Sequence, residues 1–135
     1  MELQAVKVEQ ALFSNKMRQF NIRNILERNR IIPVVTINSL NEIDEMVQEL
    51  NERDISCIEV TLRTPLAFKA LSLLKRNYNH CLEVGVGTVV NQKQLKMVSD
   101  LDVDFIVSPG LMLGMTKELQ KIKKPFIPGV HRLNQ

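Results

Sequence analysis

The sequence predicts an α/β fold in which a parallel β-sheet is covered by helices. From residue 31 onward, short apolar runs rich in β-branched residues alternate with longer amphipathic stretches, which is the order of repeated β-α units. The 135 residues are 44% apolar and 24% charged, a composition typical of a soluble globular domain. We therefore expect one domain that spans residues 1–135.

Five strands and five helices are predicted in alternation along the chain. The strands are expected at residues 31–37, 55–62, 82–90, 105–107 and 126–127. The helices are expected at residues 14–30, 39–50, 65–74, 91–99 and 111–122. Ser39 and Asn91 are residue types that cap helix N-termini, and Glu42 follows Ser39 at the spacing of a capping box. Pro65 occupies a position typical of the first turn of a helix.

The charge pattern does not indicate a nucleic-acid-binding protein. The net charge of +3 and the isoelectric point near 9.0 come from Lys and Arg residues scattered along the chain. The densest basic run is Lys121, Lys123 and Lys124, and the chain has one Tyr and no Trp. Nucleic-acid-binding surfaces normally concentrate basic charge on one face and add aromatic stacking. No nucleic-acid partner is therefore expected.

Segment composition predicts a cytoplasmic protein without a membrane anchor. Residues 1–13 mix charged with apolar side chains, unlike a signal peptide, and no later apolar run is long enough to span a bilayer. Cys57 and Cys81 are too few for a disulfide framework, and each lies in an apolar segment, where a free thiol usually packs as a small hydrophobe. Both observations favour a reducing cytoplasm.

The segment from Ile58 to Thr64 places ionisable side chains on a strand. Alternation along that strand puts Glu59, Thr61 and Arg63 on one face and the apolar residues between them on the other. The polar groups then lie near the carboxyl end of the strand, where α/β barrels hold their catalytic groups. The alternative is a buried Glu59–Arg63 ion pair that only stabilises the strand end. The pattern leaves both interpretations open.

Two further strand ends carry residues of interest. Gly85 and Gly87 precede Thr88, whose hydroxyl is suited to a hydrogen bond with a carboxylate, while glycine permits close approach of a ligand. A dinucleotide fingerprint is excluded because Val90 stands at its third glycine position, and a tight strand-to-helix turn is the structural alternative. Pro109 opens the next helix, a position that is more often architectural than catalytic.

Metal and serine-hydrolase chemistry have no support in the sequence. The residues Cys57, His80, Cys81 and His131 do not fall into a zinc-ligand spacing. No Gly-x-Ser-x-Gly motif is present. We expect neither a metal nor a cofactor.

Five motifs taken in order resemble the strand motifs of the 2-keto-3-deoxy-6-phosphogluconate (KDPG) and 4-hydroxy-2-oxoglutarate (KHG) aldolases. They are Ile32-Pro33-Val34-Val35, Glu59-Val60-Thr61-Leu62-Arg63-Thr64, Val86-Gly87-Thr88-Val89-Val90-Asn91, Ser108-Pro109-Gly110-Leu111 and Ile127-Pro128-Gly129-Val130. The resemblance covers residues 24–130 and implies the (β/α)₈ barrel of the class I aldolases, here with about five strands. Residues 1–23 are expected to form a leading helical segment outside it.

The resemblance also implies a role for each candidate site residue. Glu59 corresponds to the general acid/base, and Arg63 to the group that holds the carboxylate of a small-molecule 2-oxo acid. Thr88 adds a hydroxyl to the same carboxylate, and Pro109 corresponds to a proline in the pocket wall. The implied protein is a cytoplasmic lyase of carbohydrate metabolism in the Entner–Doudoroff pathway, assembled as a homotrimer.

The resemblance implies cleavage through a lysine Schiff base, but the corresponding lysine is expected on a sixth strand. The sequence departs from the family pattern at His131-Arg132-Leu133-Asn134 and ends at Gln135, so that strand is not encoded in these residues. The implied products are pyruvate and either glyceraldehyde 3-phosphate or glyoxylate. Phosphogluconate, phosphogalactonate and hydroxy-oxoglutarate substrates all stay open. The alternative is an inactive module that binds a 2-oxo acid or only assembles with another chain.

Overall fold

The computed structural model of the protein describes residues 22–110 and 113–129. Residues 22–28 are helical and are named α1 here. The predicted helix at residues 14–30 is therefore confirmed over 22–28, while its part up to residue 21 lies outside the described residues. Most of the predicted leading segment, residues 1–23, also lies outside them.

Strands and helices alternate as predicted. The strands are β1 (Val34–Val35), β2 (Cys57–Thr61), β3 (Glu83–Gly87), β4 (Phe105–Ser108) and β5 (Phe126–Pro128). The helices that follow the first four are α2 (Ile43–Glu52), α3 (Ala67–Tyr78), α4 (Gln92–Ser99) and α5 (Thr116–Lys121). None of the helices within the described residues is long and apolar enough to cross a membrane.

All five strands are parallel, and each one lies beside its predecessor in the order β1-β2-β3-β4-β5. A doubly wound sheet reverses its strand order, whereas sequential addition in one direction is the topology of a (β/α) barrel. Among the described residues the sheet is open, with β1 and β5 at its edges. The architecture is thus an incomplete (β/α) barrel.

Several element boundaries differ from prediction. β1 contains only Val34–Val35 of the seven-residue strand expected there. It lies at an edge of the sheet, where it pairs with β2, and both Ile31 and Val34 are exposed. α3 begins at Ala67 rather than at Pro65, because a turn in which Thr64 O accepts from Ala67 N precedes it.

The helix N-termini confirm the Asn91 cap of α4 and correct two other starts. The predicted capping box at α2 is not formed, because Ser39 caps a 3-10 turn and Glu42 is the N-cap of α2 without a side-chain hydrogen bond. Ser39 Oγ accepts from Asn41 N at 3.3 Å and begins a 3-10 turn ahead of α2. Asn91 Oδ1 accepts from Gln94 N at 2.8 Å at the start of α4. α5 begins only at Thr116, after a 3-10 turn at Leu113–Met115, and residues 111–112 of the predicted helix lie outside the described part. Gly114 within that turn is a poor α-helix former.

The sheet buries apolar side chains on both faces. The face toward the helices forms the larger core, in which the buried strand residues are Ile58, Val60, Val84, Val86 and Ile106. The opposite, inner face holds a second cluster formed by Cys57 and Phe105 with Ile22 and Ile25 of α1. Ser56, just before β2, donates to Asn29 Oδ1 at 2.9 Å, which fixes α1 near the amino ends of the strands.

The two cysteines differ in their environments. Cys57 is fully buried, and desolvation with the nearby negative charges of Glu83 and Asp104 raises the pKa of its thiol to about 12. It therefore packs as the small hydrophobe that was predicted. For Cys81 the same prediction is wrong, because this residue is exposed in the turn after α3, where its N–H donates to Tyr78 O at 3.1 Å.

Candidate active site

Glu59 lies in the middle of β2 and faces away from the helices. Its neighbours Ile58 and Val60 belong to the helix-facing core, so alternation directs the carboxyl group to the inner face, as predicted. The Glu59 Cα pairs with Gly85, yet its carboxyl group lies over Gly87, the last residue of β3. The side chain therefore reaches toward the carboxyl ends of the strands, where barrel enzymes hold their reactive groups.

The carboxyl group of Glu59 is half-buried without a fixed partner. Within residues 22–110 and 113–129, no hydrogen bond or ion pair to it is found. Desolvation by burial raises the pKa of Glu59, and the positive charge of Arg63 opposes that rise. The interpretation as a buried Glu59–Arg63 ion pair is therefore wrong. A desolvated carboxyl group without a fixed partner is chemically suited to proton transfer.

Arg63 does not belong to the strand. β2 ends at Thr61, and Arg63 lies exposed in the turn that follows, so the alternation predicted for it is wrong. An exposed guanidinium beyond the strand end is free to meet an anionic ligand from solvent. Thr61 is almost fully buried, with its Oγ1 2.9 Å from Thr36 Oγ1 and 3.3 Å from Val35 O. This hydroxyl ties β1 to β2 rather than lining an open site.

Thr88, directly after β3, adopts a left-handed backbone conformation with φ of 61°. This region is costly for a β-branched residue, and such strain tends to persist at functional sites. Backbone hydrogen bonds hold the residues on both sides of it, from Leu62 N to Gly87 O at 3.0 Å and from Val89 N to Val107 O at 3.4 Å. The sequence gives no signal for this conformation, because the neighbouring glycines would be expected to adopt it instead.

Pro109 lies exposed in the bend after β4. The preceding residue, Ser108, was not recognised as important from the sequence, although it is buried. Its Oγ lies 2.6 Å from Val89 O and 2.7 Å from Gly110 O, and its own carbonyl accepts from Gly129 N at 2.6 Å. Ser108 thus joins the ends of β3, β4 and β5. A serine before a proline at a strand end is the one sequence signal that hints at this role.

The four predicted site residues lie within or after three adjacent strands. Glu59 and Arg63 belong to β2 and its following turn, Thr88 follows β3, and Pro109 follows β4. The structure therefore brings them to the same side of the sheet, toward the carboxyl ends of the strands. Two cavities, of about 300 and about 400 Å³, lie elsewhere in the described part, and neither is lined by Glu59. Glu59 itself lies on the inner face of the sheet.

No lysine of the described part lies on that inner surface. The eight lysines in it belong to α3, α4 and α5 or to the segment just after α5, as listed here: Lys69, Lys75, Lys93, Lys96, Lys117, Lys121, Lys123 and Lys124. Nor do three or more His, Cys, Asp or Glu side chains of residues 22–110 and 113–129 come together in a way that would hold a metal. The arrangement offers an acid/base and anion-binding groups.

Comparison with known proteins shows the family to which this chain belongs. The sequence pattern of the KDPG and KHG aldolases matches residues 22–135. The chain is 32% identical over 111 residues to the 2-dehydro-3-deoxy-phosphogluconate aldolase of Dickeya dadantii, which covers 82% of this chain and 52% of the relative. It is 30% identical over 112 residues to the KHG/KDPG aldolase of Escherichia coli K12, with 83% and 52% covered. The chain thus spans about half the length of these relatives.

Solved structures give the same result. The KDPG aldolase of Legionella pneumophila, with pyruvate captured as a covalent carbinolamine, has a TM-score of 0.71 and 36% identity, covering 76% of this chain and 50% of that one. The KDPG aldolase of Zymomonas mobilis ZM4, with 3-phosphoglycerate, has a TM-score of 0.74 and 30% identity, covering 83% and 53%. From sequence and fold together, the chain belongs to the KDPG and KHG aldolase family.

Proposed function

We propose that this chain supplies the proton-transfer and carboxylate-binding groups of a class I aldolase. The reaction is retro-aldol cleavage of 2-keto-3-deoxy-6-phosphogluconate, 4-hydroxy-2-oxoglutarate or both, through a lysine Schiff base. The observation that carries the proposal is the half-buried carboxyl group of Glu59, which has a raised pKa and no partner among the described residues. Structural carboxylates in such an environment are normally paired, so an unpaired one at a strand end indicates proton transfer.

Glu59 would serve both halves of the reaction. A lysine amine adds to the C2 ketone to give a carbinolamine, and Glu59 in its acid form protonates the hydroxyl that leaves as water. The Glu59 carboxylate then takes the proton of the C4 hydroxyl while the C3–C4 bond breaks. The bond electrons pass to the protonated imine, which releases the aldehyde and leaves an enamine. Protonation at C3 and hydrolysis return pyruvate and the free lysine.

The pyruvate half of the substrate would be held by Arg63 and Thr88. The exposed guanidinium of Arg63 would form charge-assisted hydrogen bonds with the C1 carboxylate. Thr88 carries a hydroxyl just after the neighbouring strand β3. Its backbone is strained, and contacts with the substrate would offset the cost of that strain. Pro109 would contribute an apolar wall at the next strand end. The pyruvate carbinolamine in the Legionella relative supports a pyruvate-type ligand.

The proposed reaction requires a Schiff-base lysine that the described residues do not supply, and the family resemblance implies that it lies on a sixth strand. The lysines of the described part lie on helices or in the segment after α5, away from the inner surface, and the largely buried Lys75 is paired with Asp104. A Schiff-base lysine needs a desolvated or cationic setting that lowers its pKa. We further propose a homotrimer in the cytoplasm, on the strength of the family resemblance and of a substrate that belongs to intermediary metabolism.

A complementation assay tests the proposed function. The chain would be co-produced with the carboxyl-terminal half of the Dickeya dadantii relative, and cleavage of 2-keto-3-deoxy-6-phosphogluconate would be followed through pyruvate release. We expect turnover in the complex that falls about 10²- to 10⁴-fold with Glu59→Gln, the usual contribution of a general acid/base. An assembled complex whose turnover is unaffected by Glu59→Gln would contradict the role of Glu59.

One observation favours a second candidate function. Since no lysine of the described part faces the inner surface, residues 22–110 and 113–129 supply groups for binding a 2-oxo acid but no Schiff-base lysine. In that case pyruvate would perturb the NMR signals of Arg63 and Thr88 in the isolated chain, and added carboxyl-terminal polypeptide would restore no turnover. The two candidate functions therefore give opposite results in the complementation assay.

A further inference from the structure

We infer that Gly87 is a positioning residue for Glu59: its missing side chain leaves the space in which the Glu59 carboxyl group lies. A side chain at this position would push the carboxyl group away from the strand ends. The catalytic meaning of this inference rests on the function proposed above, while the geometry does not.

The evidence is the close approach of one side chain to one glycine. A Cβ on Gly87 would lie 1.7 Å from Glu59 Oε1, 2.5 Å from Cδ and 2.8 Å from Cγ. Real Cβ atoms essentially never approach another heavy atom within 3.0 Å. The three nearest atoms all belong to Glu59, so the space beside Gly87 is filled by that side chain specifically.

The backbone on both sides of this contact is held in place. Thr61 pairs with Gly87 in the β2–β3 ladder, and Leu62 N donates to Gly87 O at 3.0 Å just beyond it. A methyl group on residue 87 therefore has little freedom to move β3 away from β2. The flexible end of the Glu59 side chain would have to move instead, at a modest cost in stability.

Phe105 limits where the carboxyl group can go. Gly85 lies two residues before Gly87, about 6.6 Å along the same face of β3, and the Phe105 ring occupies its missing side-chain space, with Cε2 2.1 Å from an added Cβ. Phe105 is itself buried against Cys57 and α1. The amino-terminal side of Glu59 is thus closed by an aromatic ring. Displacement by a methyl group at residue 87 would drive the carboxyl group toward solvent.

The two glycines therefore give opposite expectations. At Gly85 an added methyl group meets a buried ring that cannot shift easily, so Gly85→Ala should lower stability. At Gly87 it meets the end of a flexible side chain, so Gly87→Ala should alter the position and hydration of Glu59 more than the stability of the fold. Gly85→Ala is consequently a matched control on the same strand and the same face.

The test is an NMR titration of the Glu59 carboxyl carbon in the 135-residue chain labelled with ¹³C-glutamate. We expect a titration midpoint above that of ordinary glutamate in the wild-type chain and a midpoint shifted back toward it in Gly87→Ala, because the displaced carboxyl group regains water. An unchanged midpoint in folded Gly87→Ala would overturn the inference. Because the titration needs no turnover, its result tests the position of the Glu59 carboxyl group independently of the proposed aldolase function.

A double-mutant cycle covers the case in which Gly87→Ala strongly destabilises the chain. Glu59→Ala removes the atoms that the new methyl group would meet, so Gly87→Ala should lower the thermal unfolding midpoint much less in the Glu59→Ala chain than in wild type. Glu59→Ala should not relieve Gly85→Ala, whose conflict is with Phe105. A large loss of stability in Gly87→Ala that is equal with and without Glu59, or loss of folding in both, would overturn the inference.

Discussion

Arg63 lowers the pKa of Glu59 without forming an ion pair with it. Its guanidinium is exposed in the turn after β2, close enough for its charge to oppose the effect of burial on the carboxyl group. This arrangement keeps the carboxyl group uncommitted while leaving the guanidinium accessible to an anion.

Removing the charge of Arg63 should raise the pKa of Glu59 further. In Arg63→Gln the desolvation that raises this pKa stays, while the opposing Coulombic interaction is lost. A ¹³C titration of Glu59 should therefore show a higher midpoint in Arg63→Gln than in the wild-type chain. Arg76→Gln, on the exposed side of α3, is the control and should leave the midpoint unchanged. A lower midpoint in Arg63→Gln would contradict the arrangement.

The ionised form of Glu59 should reduce stability at neutral pH. Its pKa in the folded chain lies above the ordinary value of 4.5, so the folded state binds the proton more tightly than the unfolded state does. The resulting stabilisation is complete below 4.5 and is lost as the pH rises through the folded-state pKa. We expect Glu59→Gln to be more stable than wild type at pH 7, with the difference narrowing on acidification. Urea unfolding at several pH values measures it, and a difference that grows at low pH would oppose the prediction.

Gly85→Ala should destabilise the fold by about 1–3 kcal/mol, the usual cost of overpacking a core. The added methyl group would lie 2.1 Å from Cε2 of the buried Phe105 ring. Gly110→Ala is the matched control because no atom of the described residues lies within 4 Å of a Cβ built there. Urea denaturation of both variants checks this prediction. A loss of stability in Gly110→Ala equal to that in Gly85→Ala would show that the cost has another origin.

Lys75→Met should cost about 1–3 kcal/mol of stability, because charged hydrogen bonds in largely buried sites carry energies of that order. Lys75 Nζ lies 2.9 Å from Asp104 Oδ2 and 2.6 Å from Asn79 Oδ1, and the Lys75 side chain is only 8% exposed. Asp104 Oδ2 also accepts from Val84 N at 2.7 Å, which links α3 to β3 and β4. Lys93→Met, on the exposed surface of α4, should leave the urea midpoint nearly unchanged. Similar midpoints for the two variants would contradict the role of Lys75.

Sequence reasoning predicted the features that depend on local pattern. The orientation of Glu59 followed from the apolar character of Ile58 and Val60, and the start of α4 followed from the capping side chain of Asn91. These properties depend on residues next to each other in the chain. The alternation of strands and helices likewise required only hydrophobic periodicity and turn residues.

The features that the sequence did not predict depend on contacts between segments that are distant in the chain. That Glu59 fills the space beside Gly87 depends on the register between β2 and β3, which the sequence does not specify residue by residue. The left-handed conformation of Thr88 runs against the preference of a β-branched residue and requires the surrounding hydrogen bonds to sustain it. The exposure of Cys81 depends on where α3 ends.

Borohydride trapping with pyruvate tests the central claim most directly, namely that this chain carries the proton-transfer and carboxylate-binding groups while the Schiff-base lysine lies elsewhere. The purified 135-residue chain and its complex with the carboxyl-terminal half of a full-length relative would be treated in parallel, and adducts would be mapped by mass spectrometry. We predict no specific adduct on the chain alone and an adduct in the complex on a lysine of the added polypeptide. Efficient trapping on a single lysine of the 135-residue chain alone would contradict the claim.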